Sequence, residues 1–227
     1  MHFKTDSNIS IVSCRDVSCV LFDYQRAPFC GVATFCTWLT YISKRSYKES
    51  IEINPEELFR HVFKGWTPSP CGPIKQIEQI VKYRQNCSRN PKDEFEFQIS
   101  NCAIRLNGVK GISAANPLLV SETLSKSVKE SIPVIVDFPL FLSSLLPMGS
   151  PTLKRPNPGE PSLGRHFVLV DGFGCTNEND YPRLAEEFFS FQNCWGSSWG
   201  NRGFGRLPLD FINTTPSLRV YYIETEG

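Results

Sequence analysis

The sequence predicts an α+β fold: a helical half followed by a mainly antiparallel β half. Three observations carry this. Gly31 to about Lys44 is apolar and contains no internal Pro or Gly, which suits a buried helix. After about residue 93 the apolar period shortens toward that of strands. A Pro/Gly-rich stretch at 147–164, "PMGSPTLKRPNPGEPSLG", separates two strand candidates and reads as a surface loop.

In order, the first helix opens at Cys30. "INPEELFRHVF" is the second: Asn54 can cap, Pro55 suits the first helical position, and Glu56 and Glu57 meet the positive end of the dipole. "PIKQIEQIVKY" supplies a third, with Ile74, Ile77, Ile80 and Val81 on one face. "FEFQI" alternates as a strand does. A helix from near Ser121, with Leu124 and Val128 facing inward, leads into the β-rich "PVIVDF". "HFVLVDGFG", "FFSFQNCW" and "LRVYYIET" are the remaining strand candidates. The chain contains no internal repeat.

Length and charge exclude several classes. At 227 residues the chain can bury a sizeable core as one domain or two close-packed lobes. Its 24 basic and 23 acidic residues offer no basic stripe for nucleic acid or an anionic membrane. No apolar run approaches the roughly 20 residues needed to span a bilayer, and "MHFKTDSNISIVSC" is too polar for a signal peptide. As written, the chain suits the cytoplasm. Nine cysteines without a CxxC pair argue against structural zinc. The sequons at Asn8, Asn86 and Asn213 matter only in a secreted protein.

Three histidines are candidates for chemistry. His2 is terminal, and His61 lies in a charged helix where a solvated surface role is expected. His166 opens the strand "FVLVDGFG", which would hold its ring at the rim of a sheet. Asn193 can accept the imidazole Nδ1 hydrogen, and Trp195 with Trp199 would keep that bond dry. A Gly/Trp-rich turn with Asn193 in a left-handed position fits the same residues. Cys30 would begin a helix whose N-terminal field lowers a thiol pKa, and Gln25 precedes it with an amide that can donate to an oxyanion. A buried structural cysteine is the other reading of Cys30, and it suits Cys36 and Cys194 well. Arg165, beside His166, is expected to disfavour the imidazolium.

"NCWGSSWGNRGFGRLP" resembles the Asn motif of the papain family (NSWGxxWGxxGYxRI), and "HFVLVDGFG" its His motif (HAVxxVGYG). "INPEEL" is similar to the family's LSPQEL helix start, "GPIKQIEQIVKY" to the segment after its GG turn, and "SETLSKSVKESIPVIVDF" to its ExxLxxAVxxxxPVSVAI. His166 lies 136 residues after Cys30, within the family's span of about 130–150. Asn193 lies 163 residues after it, the excess matching an acidic insertion, "CTNENDYPRLAEE". The resemblance runs from about Asp16 to Tyr222 and implies a single domain over residues 1–227. In it a helical lobe (about 16–112) would face a β-barrel lobe (about 113–222) across a cleft.

The family's CGSCWAF is absent, and "QRAPFCGVATFCTWL" allows two registers. In one, Cys30 is the nucleophile; in the other, Ala33 takes its place and the site is dead. Cys30 stands 28 residues before Leu58, the family's own separation, which favours the first. In that register Gln25 is one residue closer to the nucleophile than the family's oxyanion Gln, and "PCGPI" leaves Gly72 to line the substrate backbone alone. The resemblance implies a cysteine peptidase: Cys30 attacks as a thiolate paired with His166, Gln25 donates to the oxyanion, Asn193 orients the imidazole, and Trp195 covers the pair. No metal or organic cofactor is called for. Peptide or protein substrates, cystatin-like inhibitors and a monomeric state are implied, although members are usually lysosomal, vacuolar or extracellular. A pseudo-peptidase that binds peptides and a transpeptidase or ligase are the rival readings.

Overall fold

The buried first helix sets the architecture. In a computed structural model the described residues are 9–13, 30–47, 53–63, 76–87, 89–92, 109–113, 117–145, 151–176 and 187–223. Helix α1 (Cys30–Tyr47) is buried at every position from Cys30 through Tyr41. A helix buried all round has no solvent to satisfy its polar side chains, so each must find a partner in protein. Thr37 Oγ1 donates to its own helix at Ala33 O (3.0 Å). Thr34 Oγ1 donates to Phe167 O (3.2 Å), Trp38 Nε1 to Pro133 O (2.8 Å) and Tyr41 Oη to Ser131 O (3.2 Å). These three bonds fasten α1 to the second half of the chain.

Helix α2 (Pro55–Val62) begins as expected, with Asn54 Oδ1 accepting from the Glu56 and Glu57 N–H groups at 2.9 and 3.3 Å. Helix α3 (Gln76–Cys87) buries Ile80 and, in part, Val81. His61 departs from expectation. Tyr83 Oη lies 3.1 Å from its Nδ1, so His61 joins α2 to α3 and is half-buried where a solvated role was expected. Helix α4 (Pro117–Lys129) starts four residues before Ser121 and buries Leu124 and Val128.

Among the described residues seven strands form one antiparallel sheet: β1 (Ile9–Ser13), β2 (Val109–Ser113), β3 (Val134–Leu140), β4 (Gly164–Thr176), β5 (Glu187–Gln192), β6 (Phe204–Pro208) and β7 (Arg219–Ile223). Their order is β2-β7-β3-β4-β5-β6, with β1 added to the far half of β4. Two short helices, α5 (Leu142–Leu145) and α6 (Leu209–Thr214), complete the described elements. "VIVDF", "HFVLVDGFG", "FFSFQ" and "RVYYI" all lie in strands; β1, β2 and β6 are additions that the sequence did not announce. "FEFQI" and Ile74 lie outside the described residues.

The sheet is covered on both faces, which explains why β3 is apolar at every position except Asp137. Side chains alternate along a strand. Ile135, Phe167 and Leu169 pack with α1, Leu58 of α2 and Ile80 of α3. Val134, Val136, Phe138, Val168 and Val170 pack instead with Leu124 of α4 and Phe211 of α6. Burial of each of these side chains is worth about 1.5–3 kcal/mol, so two apolar layers hold the sheet between two sets of helices. The 147–164 stretch is largely exposed over its described part, but Leu153 is buried and Thr152 bridges to Arg206 of β6. It is therefore tied to the sheet. No helix among the described residues is long and apolar enough to cross a membrane.

Candidate active site

β4 delivers His166 and the end of β5 delivers Asn193. Phe138 of β3 is the register partner of His166, and the two rings meet edge to face with centroids 5.8 Å apart. On another side the imidazole lies 4.4 Å from the Trp195 ring at 30° between planes, and Trp199 braces Trp195 at 5.6 Å and 81°. An imidazole enclosed by two aromatic rings loses most of its water: His166 is 4% exposed and Asn193 2%.

Asn193 Oδ1 lies 2.9 Å from His166 Nε2. An amide oxygen only accepts, so Nε2 carries the hydrogen and Nδ1 keeps its lone pair. This corrects the expected attachment at Nδ1. The ring is turned so that the nitrogen left free for chemistry is Nδ1. The turn reading of the motif also gives way, because the positive φ values of this stretch fall at Gly196, Gly200, Arg202 and Gly203 and not at Asn193.

Cys30 opens α1 and is 7% exposed. The backbone of Phe167, then of Gly31 and of Cys30 itself, acts on this thiol in the direction that lowers its pKa. Phe167 follows His166, so the sulfur is held beside the imidazole-bearing strand. Ala33, the alternative position for a nucleophile, is fully buried one turn further along the helix. Gln25 and Gly72 lie outside the described residues.

Burial decides the electrostatics. It pushes the Cys30 thiol up to about 11, against the lowering effect of the neighbouring backbone, and the Asp137 carboxylate adds to the rise. The helix N-terminus, expected to acidify this thiol, is outweighed. Burial likewise lowers His166 from 6.5 to about 4, opposed by the hydrogen bond to Asn193. The uncharged thiol and imidazole are favoured at rest, whereas the sequence suggested a standing thiolate and imidazolium. Cys194, next to Asn193, is buried and held well above the usual thiol range, first by desolvation and then by Cys30.

Arg165 does not depress His166. Alternation along β4 sends its side chain to the opposite face, where Nε donates to Asp137 Oδ1 at 2.8 Å and Nη2 to Ser217 O at 2.7 Å. Its charge is spent on a carboxylate. Sequence reasoning missed Asp137, which sits inside the apolar run "PVIVDF" and is fully buried. A lone acid within such a run is the signal that would have found it, since a buried carboxylate must be paired. Among the described residues no cluster of three or more His, Cys, Asp or Glu side chains is arranged to hold a metal ion. A sulfur at a helix start, an imidazole with one nitrogen turned away from Asn193, and an amide that orients the ring are residue types that acyl transfer uses.

No family model matches the chain. An uncharacterized peptidase C1-like protein of Acanthamoeba polyphaga mimivirus is 28% identical over 93 residues, 40% of this chain. The matched part spans 27% of that protein's length. Among solved structures, xylellain, a cysteine protease from Xylella fastidiosa, is similar with a TM-score of 0.67 at 14% identity, over 95% of this chain and 86% of that one. The proform of Amb a 11, a cysteine protease and major ragweed pollen allergen, gives 0.63 at 16% identity, over 94% of this chain and 65% of that one. Digestive procathepsin L 3 of the Tenebrio molitor larval midgut gives 0.61 at 17% identity, over 95% and 69%. With its helical layers around an antiparallel sheet and nearly all of its length superposed on these enzymes, the chain has the fold of the papain-like cysteine proteases.

Proposed function

We propose that the protein is a cysteine peptidase of the papain/cathepsin type, with Cys30 as nucleophile and His166 as its acid and base. The observation that carries the reading is the Nε2–Asn193 hydrogen bond under Trp195, which leaves Nδ1 as the base. In the proposed reaction the Cys30 sulfur attacks a peptide carbonyl carbon while its proton passes to His166 Nδ1. The carbonyl oxygen becomes an oxyanion, met by the Cys30 N–H and the Gln25 amide. The C–N bond then breaks, and the amine leaves with the proton from His166. Water, deprotonated by the same nitrogen, hydrolyses the thioester and returns the thiol. Gly72 would lie along the substrate backbone, and cystatin-like proteins would act as inhibitors.

A second reading is favoured by one observation: burial disfavours charge on both Cys30 and His166. In that reading the chain is a pseudo-peptidase that holds peptides without cutting them. The deciding experiment treats the reduced protein briefly with a limiting dose of a peptidyl epoxide directed at papain-type thiols, followed by peptide mass spectrometry. Peptidase chemistry predicts one adduct, on Cys30, lost in His166→Ala, and a Cys30→Ala variant with no turnover and a nearly unchanged Tm. Scattered labelling of several cysteines, or none, would support the binding module. Loss of activity from Cys36→Ala alone would overturn the choice of nucleophile.

A further inference from the structure

A cavity of about 700 Å³ lies at the far end of the sheet from His166. Three parts of the chain wall it. One is the segment 152–155, fastened along β6 by Leu153 N–H to Arg206 O at 3.0 Å and Arg206 N–H to Pro151 O at 2.6 Å. The second is the end of β4 and the start of β5, where Cys175 and Glu187 are register partners. The third is the turn from β6 into α6, from Pro208 to Phe211. Leu153 and Phe211, both buried, supply apolar lining. His166 and Cys175 are nine residues apart on β4, about 30 Å at 3.3 Å per residue, so the cavity is separate from the candidate active site.

Four exposed charged side chains line this cavity: Lys154 and Arg155 on the first wall, Glu187 on the second and Asp210 on the third. Among the described residues none of the four pairs with another. Charges of both signs that do not meet across a cavity match a ligand that carries both signs and bridges them. A ligand with a single charge would face as many like charges as opposite ones. An arginine fork suits a carboxylate, and a cavity of this size holds a small organic ligand. We infer that the cavity is a binding site for a short peptide with both ends free. Its carboxylate lies at Lys154 and Arg155, its ammonium at Glu187 and Asp210, and an apolar side chain rests against Leu153 and Phe211. The site does not depend on Cys30 or on the reaction proposed for it.

The test uses the full chain with Cys30→Ala, which keeps the probe from being cut. The probe is the tripeptide alanyl-leucyl-alanine. The half-buried Cys175, in the cavity wall, is the reporter: its rate of labelling by iodoacetamide is followed by peptide mass spectrometry, with the buried Cys194 as control. At about ten times its Kd the free tripeptide should slow Cys175 labelling about tenfold and leave Cys194 unchanged. Acetylating the amino end or amidating the carboxyl end should each weaken binding about fivefold, and doing both should remove the protection. Lys154→Ala/Arg155→Ala should erase the difference between the free and amidated peptides, and Glu187→Gln/Asp210→Asn that between the free and acetylated ones. No protection by the free tripeptide, or equal protection by the doubly blocked one, would overturn the inference. So would differences that persist in both charge variants. The comparison of the four peptides leaves the cavity residues unchanged, so it decides the matter even if a charge variant does not fold.

Discussion

Replacing His166 with Gln should flatten part of the acid dependence of stability. The folded protein holds His166 at about 4, against 6.5 for the unperturbed side chain, with desolvation as the main cause. Between these values the unfolded chain binds a proton that the folded chain refuses, so stability rises with pH across this window. The contribution is fully present above pH 6.5 and is lost as pH falls to about 4. At about 1.4 kcal/mol per pH unit, the gap is worth about 3 kcal/mol, a large share of a typical domain's 5–15 kcal/mol. The assay is urea unfolding of wild type and His166→Gln at pH 7 and pH 4. Carboxylates common to both proteins cancel in the comparison. Wild type should lose about 3 kcal/mol more than the variant. Equal losses would refute the buried, neutral imidazole. A larger loss in the variant would mean that His166 is an imidazolium at rest, stabilised by a Cys30 thiolate.

Three further outcomes are expected. Asn193→Ala leaves the buried Nε2–H of His166 without its acceptor, which should cost about 1–3 kcal/mol in urea unfolding and lower kcat for peptide hydrolysis more than it changes KM. Gly205→Ala would drive a methyl group against the Phe191 ring, the Pro151 carbonyl oxygen and Trp199. It should destabilise by about 1–3 kcal/mol and, because Trp199 braces Trp195, alter the near-ultraviolet circular dichroism of the tryptophans. Trp38→Phe keeps most of the ring but strands the Pro133 carbonyl; a loss of about 1–3 kcal/mol in thermal or urea unfolding is expected, with labelling of Cys30 still confined to that residue.

What the sequence made legible was local. The α2 start was readable because Asn54, Pro55 and the two glutamates act within one turn, and β3 because a run buried on both faces is apolar at all but one position. His166 and Asn193 were legible through their motifs, each framed by strand and turn residues. The strands β1, β2 and β6 were not. "ISIVS" sits in a polar stretch and pairs with residues 172–176, far along the chain, while "FGRLP" carries the Gly and Pro of a turn and is a strand because β5 pairs with it. The nitrogen that faces Asn193 depends on how the ring is turned between Phe138 and Trp195, which no spacing encodes. Asp137 and Arg165 are 28 residues apart in sequence, and only the β3–β4 register brings them together. The rise in the Cys30 pKa also escaped local reading, because the helix field is a property of α1 whereas burial is a property of everything packed on it.

The bonds that tie α1 to the second half of the chain join residues 133, 95 and 90 positions apart. Loops of that length close late in folding, because the entropy of closing them must be met before distant contacts repay it. Cys30 and His166 belong to the two sides of that closure, so neither half carries the proposed pair while the other is unfolded. A nascent or partly denatured chain would hold a cysteine and a histidine but not the arrangement proposed for them. If Cys30 and His166 act as proposed, reactivity and the closure of these long-range contacts arrive together.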